Sequence, residues 1–227
     1  MLLAWIILIL LVIFAVVFKN KIKLNLIRYA IVFFIIAYVS FSIYKFLSRI
    51  LVIDDFEGKI SAQTVDYGAG AGSQIEVSGS KDIKYHGNQA LKLKYKSVAG
   101  GYMWVARGYG LDVKGAASWR EKPAGIKWSK YSSLGFYMYG QNSGAIIAVD
   151  IIDSDFEYFR FIVKDDFTGW KEIVCPFDKF LARGDWQPVK AKTNAVIDFP
   201  VRAFQFEPRP IAEGVVYFDY VHLIRKD

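Results

Sequence analysis

Leu134–Tyr139 (LGFYMY), Ala145–Ile152 (AIIAVDII) and Phe156–Lys164 (FEYFRFIVK) decide how this chain folds. Each run is short, apolar at alternate positions and bounded by Gly, Asn, Asp or Ser, which is the pattern of half-buried β-strands. In the first run Leu134, Phe136 and Met138 take one face, and Gly135, Tyr137 and Tyr139 the other. In the second, Ile147, Val149 and Ile151 turn inward, with Ala148 and Asp150 opposite. In the third, Phe159, Phe161 and Val163 turn inward, with Tyr158 and Arg160 opposite. Near the C-terminus Phe204 and Phe206 go in, and Gln205 and Glu207 go out.

The same texture continues on both sides of these runs. Strand-like segments are predicted at Gln74–Val77, Ala90–Lys96, Tyr102–Arg107, Trp170–Cys175, Arg202–Glu207 and Val215–Ile224. No long stretch beyond residue 52 carries a helical period. Many short strands with turns every 8 to 12 residues predict one all-β sandwich or jelly roll over residues 53–227. If the strands quoted first are neighbours, one outer surface holds Tyr137, Tyr139, Asp150, Tyr158, Arg160, Gln205 and Glu207. Such a surface can stack on a sugar ring and bond its hydroxyls, or dock a protein, or be an ordinary solvated sheet face.

Residues 1–52 differ in kind. Of the 29 Lys and Arg and 22 Asp and Glu in the 227-residue chain, this segment holds six basic residues and no acid. Residues 53–227 are therefore almost neutral, and the net charge of +7 sits almost entirely at the N-terminus. A nucleic-acid binder would spread that charge over its folded domain, so no nucleic-acid partner is expected. Leu2–Phe18 is an apolar run of 17 residues, and Tyr29–Tyr44 an uncharged run of 16 that lengthens backwards if Arg28 snorkels. Both runs are apolar on all faces, so residues 1–52 are predicted to be a two-helix transmembrane hairpin. The basic cluster follows the first run rather than preceding it, which argues against a cleaved signal peptide. Four basic residues in the connection (19–28) place it in the cytoplasm. The N-terminus and the C-terminal domain are then both expected on the periplasmic side of the inner membrane.

Markers of catalysis are sparse. His86 and His222 are the only histidines and stand far apart, without metalloenzyme spacing. Cys175, the only cysteine, excludes an intrachain disulfide and reads as an inert thiol. Gly68–Ser73 (GAGAGS) lacks the lysine of a phosphate loop and reads as a flexible loop. The Asp pairs 54/55, 153/155 and 165/166 fall at strand ends, where Asp serves the backbone. No enzyme activity is expected. The segment 108–127 is long for a loop, and its Trp119 and Arg120 are residue types that anchor contacts.

Five motifs in order carry a resemblance. They are Ile53–Gly58 (IDDFEG), His86–Tyr95 (HGNQALKLKY), Trp128–Gly140 (WSKYSSLGFYMYG), Thr168–Phe180 (TGWKEIVCPFDKF) and Gly214–Leu223 (GVVYFDYVHL). The order resembles the galactose-binding-like jelly rolls, and within them family 11 carbohydrate-binding modules and the complex I intermediate-associated protein family. It spans residues 53–227 and none of the hairpin. The resemblance implies a structural calcium ion on Glu57 and Asp219, helped by carbonyls near Gly87. One fold hosts several functions. The first expectation is a non-catalytic accessory or scaffolding subunit of a larger membrane complex, respiratory or photosynthetic, in contact with lipid and other subunits. The alternative is a membrane-anchored module that binds a glycan on the tyrosine-rich face.

Overall fold

The computed structural model describes residues 24–47 and 49–226, with side chains described over 29–41 and 49–226. The chain divides after Arg49 into two compact units. The expected first membrane run, Leu2–Phe18, and residues 19–23 of the basic connection lie outside the described residues.

Helix α1 (Leu24–Leu47) occupies the second apolar run. Its described side chains are outward-facing and apolar, with Tyr29, Phe33, Ile36, Tyr38 and Phe41 all exposed. Residues 29–41 alone rise roughly 20 Å, less than a bilayer core. Among the described residues, no helix is long and apolar enough to cross a membrane.

The second unit begins at Ile50, ahead of the expected start at Ile53, and is a sandwich of two antiparallel sheets. The first sheet runs β3 (Gln74–Ser80), β4 (Ala90–Ser97), β12 (Ala212–Arg225), β6 (Tyr131–Gln141), β9 (Thr168–Pro176), with β1 (Ile50–Asp54) also paired to β12. The second runs β10 (Leu181–Ala182), β8 (Tyr158–Lys164), β7 (Ile146–Ile152), β11 (Ala203–Pro208), β5 (Tyr102–Gly108), β2 (Asp66–Gly70). Alternation sets which side chains meet between the sheets. Phe206 of the second sheet stacks on Phe218 of the first, ring centroids 3.9 Å apart, and meets Phe136 edge-on at 5.0 Å. Burying each such ring contributes about 1.5–3 kcal/mol.

One polar link crosses this core. Arg107 of β5 turns inward and donates Nε to Asp54 Oδ2 at 2.8 Å and Nη2 to Asp54 Oδ1 at 3.1 Å. The pair is almost fully buried. Burial raises the Asp54 pKa, and Arg107 only partly offsets it.

Strands β1, β2 and β10 lie outside the predicted runs. The Gly68–Ser73 segment, read as a loop, supplies the last part of edge strand β2. In the long segment 108–127 the two expected contact residues part company. Trp119 lies inside, 6% exposed, stacked on Phe204 with centroids 5.8 Å apart. It belongs to the core, where its apolar area is worth more than at the surface. Of the two, Arg120 stays outside, donating to Asp55 Oδ2 at 3.0 Å.

Candidate functional site

The outward face of the second sheet carries a cleft of about 970 Å³. Five of the seven residues expected on one surface meet on this sheet: Asp150, Tyr158, Arg160, Gln205 and Glu207. Register explains it, because Gln205 lies opposite Asp150 and Asp150 lies opposite Arg160. The other two, Tyr137 and Tyr139, are on β6. That strand pairs with β12 and β9 in the first sheet, so both tyrosines face away from the cleft. The chain crosses from one sheet to the other between β6 and β7, so sequence neighbours are not spatial neighbours here.

The cleft rests on a grid of charge-assisted hydrogen bonds, of which Arg183, Asp185, Gln205, Glu207 and Arg209 line it. Arg160 donates Nε to Asp150 Oδ1 at 2.8 Å and Nη2 to Asp150 Oδ2 at 2.9 Å. The same guanidinium bonds Glu207 and reaches Asp185 at 3.2 Å. Arg183 donates Nη1 to Asp150 at 3.0 Å and Nε to Asp185 at 2.9 Å. Arg209 donates to Glu207, and Gln205 donates to Asp150 at 3.2 Å. Asp150 is fully buried, and three guanidiniums bond the carboxylates of this grid in fork geometry. Burial works against the Arg160 charge, but Asp150, Glu207 and Asp185 hold its pKa above the ordinary value. The Arg183 hydrogen bonds pull the Asp185 carboxyl down to about 2.

Aromatic rings flank this grid on both sides. At the β8 side, Trp186, 52% exposed, meets Tyr158 edge-on with centroids 5.2 Å apart. Burial, then the Asp150 charge, pushes the Tyr158 hydroxyl up to about 12. At the β5 side stand Tyr102 and Trp104. Fixed planar donors and acceptors between apolar rings suit a ligand with an apolar face and an equator of hydroxyls. Sequence reading missed Arg183, Asp185 and Trp186, which lie just past β10 in the run Arg183–Gln187 (RGDWQ). A charged cluster around a tryptophan next to a strand end was the signal for them.

Glu57 and Asp219 fasten one loop. Glu57 accepts from Asn88 N at 2.7 Å and Asn88 Nδ2 at 2.8 Å. Asp219 Oδ2 accepts the backbone N–H of Tyr85 and of His86, each at 2.9 Å. Asp219 Oδ1 is buried with no partner, and burial raises the carboxyl to about 6. An uncompensated carboxylate oxygen beside a loop held by a second carboxylate fits a hard cation. Among the described residues, no group of three or more His, Cys, Asp or Glu gathers as a metal cluster. His222 instead pairs with Glu172 at 3.0 Å, and Cys175 is buried with its thiol pKa raised by that burial.

A family model described as carbohydrate binding domain (family 11) matches residues 48–226. Among curated proteins, a mannan endo-1,4-beta-mannosidase of Bifidobacterium adolescentis is 36% identical over 124 residues, 55% of this chain and 11% of that protein. The chain thus spans about a tenth of that relative's length. Among solved structures, a family 11 carbohydrate-binding module of Clostridium thermocellum in complex with a β-1,3-1,4-mixed-linked tetrasaccharide superposes with a TM-score of 0.62. It is 20% identical, over 78% of this chain and 95% of that one. A family 30 module from a Clostridium thermocellum cellulosomal cellulase gives 0.51 at 16% identity, over 78% and 98%. At these identities the two structures speak to the fold. The family match overturns the first expectation, an accessory subunit of a respiratory or photosynthetic complex, and favours the alternative of glycan binding. It also decides between the two resembled families, against the complex I intermediate-associated one. The chain belongs to the family 11 carbohydrate-binding domains.

Proposed function

We propose that this family 11 domain is a non-catalytic module that holds a β-linked glycan in the cleft of the second sheet. The observation that carries the reading is the polar lining of Arg183, Asp185 and Glu207, braced from beneath by Asp150 and Arg160 and set between aromatic rings. The grid is pre-ordered before a ligand arrives, so sugar hydroxyls meet fixed partners and little ordering cost remains. The rings take the apolar C–H faces of the pyranoses. The related mannosidase and the tetrasaccharide-bound module name the glycans to try first, a β-1,4-mannan and a mixed-linked β-1,3-1,4-glucan.

In affinity electrophoresis, either polysaccharide cast in the gel should retard the full chain. Trp186→Ala, which removes an exposed ring at no cost to the core, should abolish the retardation. Free migration of the wild type through both gels would sink the reading.

Two further parts belong to the proposal. The N-terminal unit anchors the module in the inner membrane with the β-sandwich on the periplasmic side. The exposed apolar side chains of α1 and the acid-free basic connection support this. Alkaline extraction should leave the chain with the membranes, and release into the supernatant would contradict the anchor. The second part is calcium, which Glu57 and Asp219 would hold and which would fasten the loop at residues 85–89. Chelation should lower the melting temperature of the wild type but not of Asp219→Ala. An equal response in both would remove the ion from the account.

A further inference from the structure

Strand β2 is unusual for an edge strand because two of its outward positions are glycine. Gly68 lies opposite Trp104 and Gly70 opposite Tyr102 in the β2–β5 ladder. Glycine weakens a strand and marks places where another group approaches closely. Here the approaching groups are the two rings. A methyl carbon at Gly68 would stand 2.5 Å from Trp104 Cη2, and one at Gly70 would fall inside the Tyr102 ring's contact distance. Both rings therefore lie down over the backbone of β2 instead of standing off the sheet.

Two further features hold them there. Trp104 Nε1–H donates to Asp66 Oδ1 at 2.9 Å, so the same strand pins the far side of the indole. The two rings are nearly parallel, 14° apart, with centroids 6.2 Å from one another along β5. One end of each ring lies over a glycine, Tyr102 is 55% exposed and Trp104 partly exposed, and both residues line the cleft.

We infer that Gly68 and Gly70 seat a two-ring stacking platform, on which two consecutive pyranose rings of the bound glycan lie in line along β5. Gly68 and Gly70 are positioning residues: they touch no ligand and act through Trp104 and Tyr102. The inference rests on the glycan reading above and adds the direction of the chain at this side of the cleft. It also explains why a glycine-rich run is built as a strand. A side chain at either position would tilt its ring upward and break the flat surface, while the ladder beneath stays paired. The atoms a new methyl would meet are the outer ring atoms of a side chain, which can move without the backbone.

The test titrates the mixed-linked β-1,3-1,4 tetrasaccharide into the full chain by calorimetry, with tryptophan fluorescence read in parallel. Gly68→Ala should weaken binding at least tenfold and lose the fluorescence change, with the far-ultraviolet circular dichroism unaltered. Trp104→Ala should weaken it similarly, and the double variant should be no weaker than Trp104→Ala alone, because both changes remove one platform. Should Gly68→Ala fail to fold, Gly70→Ala tests the same seat through Tyr102. Wild-type affinity in a folded glycine variant, or losses that multiply in the double variant, would overturn the platform and leave the cleft standing. A wild type that binds neither this tetrasaccharide nor either polysaccharide would overturn both.

Discussion

The two outward sheet faces are both rich in aromatic residues, and they use them in opposite ways. On the first sheet Tyr139 sits in register between Tyr217 and Trp170 and meets both edge-on, at 5.8 and 5.5 Å. Beside it Tyr85 stacks on Tyr137 with centroids 3.4 Å apart. These rings spend their faces on one another. On the second sheet the rings stand at the sides, Trp186 and Tyr102 more than half exposed, and an ionic grid fills the middle. A binding face is therefore defined less by how many aromatic residues it holds than by whether their faces are free and whether fixed polar groups lie between them.

The sharpest way to break this comparison is to remove the grid. Arg160→Ala leaves Asp150 buried with a weaker set of partners, and the loss of stability should be about 3–5 kcal/mol. Urea denaturation measures it, and a change under about 1 kcal/mol would mean that the grid is held by something other than its charges. Next in size is Tyr139→Ala on the opposite sheet. Two aromatic pairs and their packing predict a loss of about 2 kcal/mol. Affinity for the glycan should stay within twofold, and a tenfold fall would return the first sheet to candidacy as the binding face.

The smallest effect is one of pH, and the two sheets should differ in its sign. Asp219, behind the first sheet's loop, has its carboxyl raised by burial to about 6. The folded state then binds that proton more tightly than the unfolded chain, so in the presence of chelator stability should rise as pH falls from 7 towards 4. Asp185, held down at about 2 by Arg183, contributes nothing to the slope in that range. Its stabilisation is present above about pH 4 and is lost as pH falls through 2. Denaturation midpoints at pH 7 and 5 for the wild type and Asp219→Asn read the difference. A wild-type slope that survives in Asp219→Asn would assign it elsewhere.

Alternation made much of the fold legible. Phe136, Met138, Ile147, Val149, Phe159, Phe204 and Phe206 were all read as inward and are all buried. The outward partners Asp150, Arg160, Gln205 and Glu207 followed from the same period, since flipping a strand reverses every side chain at once. What the period does not contain is which strand lies beside which. Tyr137 and Tyr139 join Asp150 only if β6 and β7 are neighbours, whereas Tyr139 lies between Tyr217 and Trp170, and Tyr137 between Asp219 and Glu172. Trp119 was misread for a related reason. A tryptophan in a long irregular segment looks like a contact residue until it is seen to belong to the core. The glycines of β2 read as a loop because glycine's local preference says nothing of a ring arriving from the next strand.

The most direct test is a nuclear magnetic resonance titration of the full chain with the mixed-linked tetrasaccharide, following the tryptophan indole signals. Binding in the second-sheet cleft predicts that the Trp104 and Trp186 indoles shift together while that of Trp170 stays still. Movement of Trp170 with Trp104 and Trp186 unmoved would contradict it.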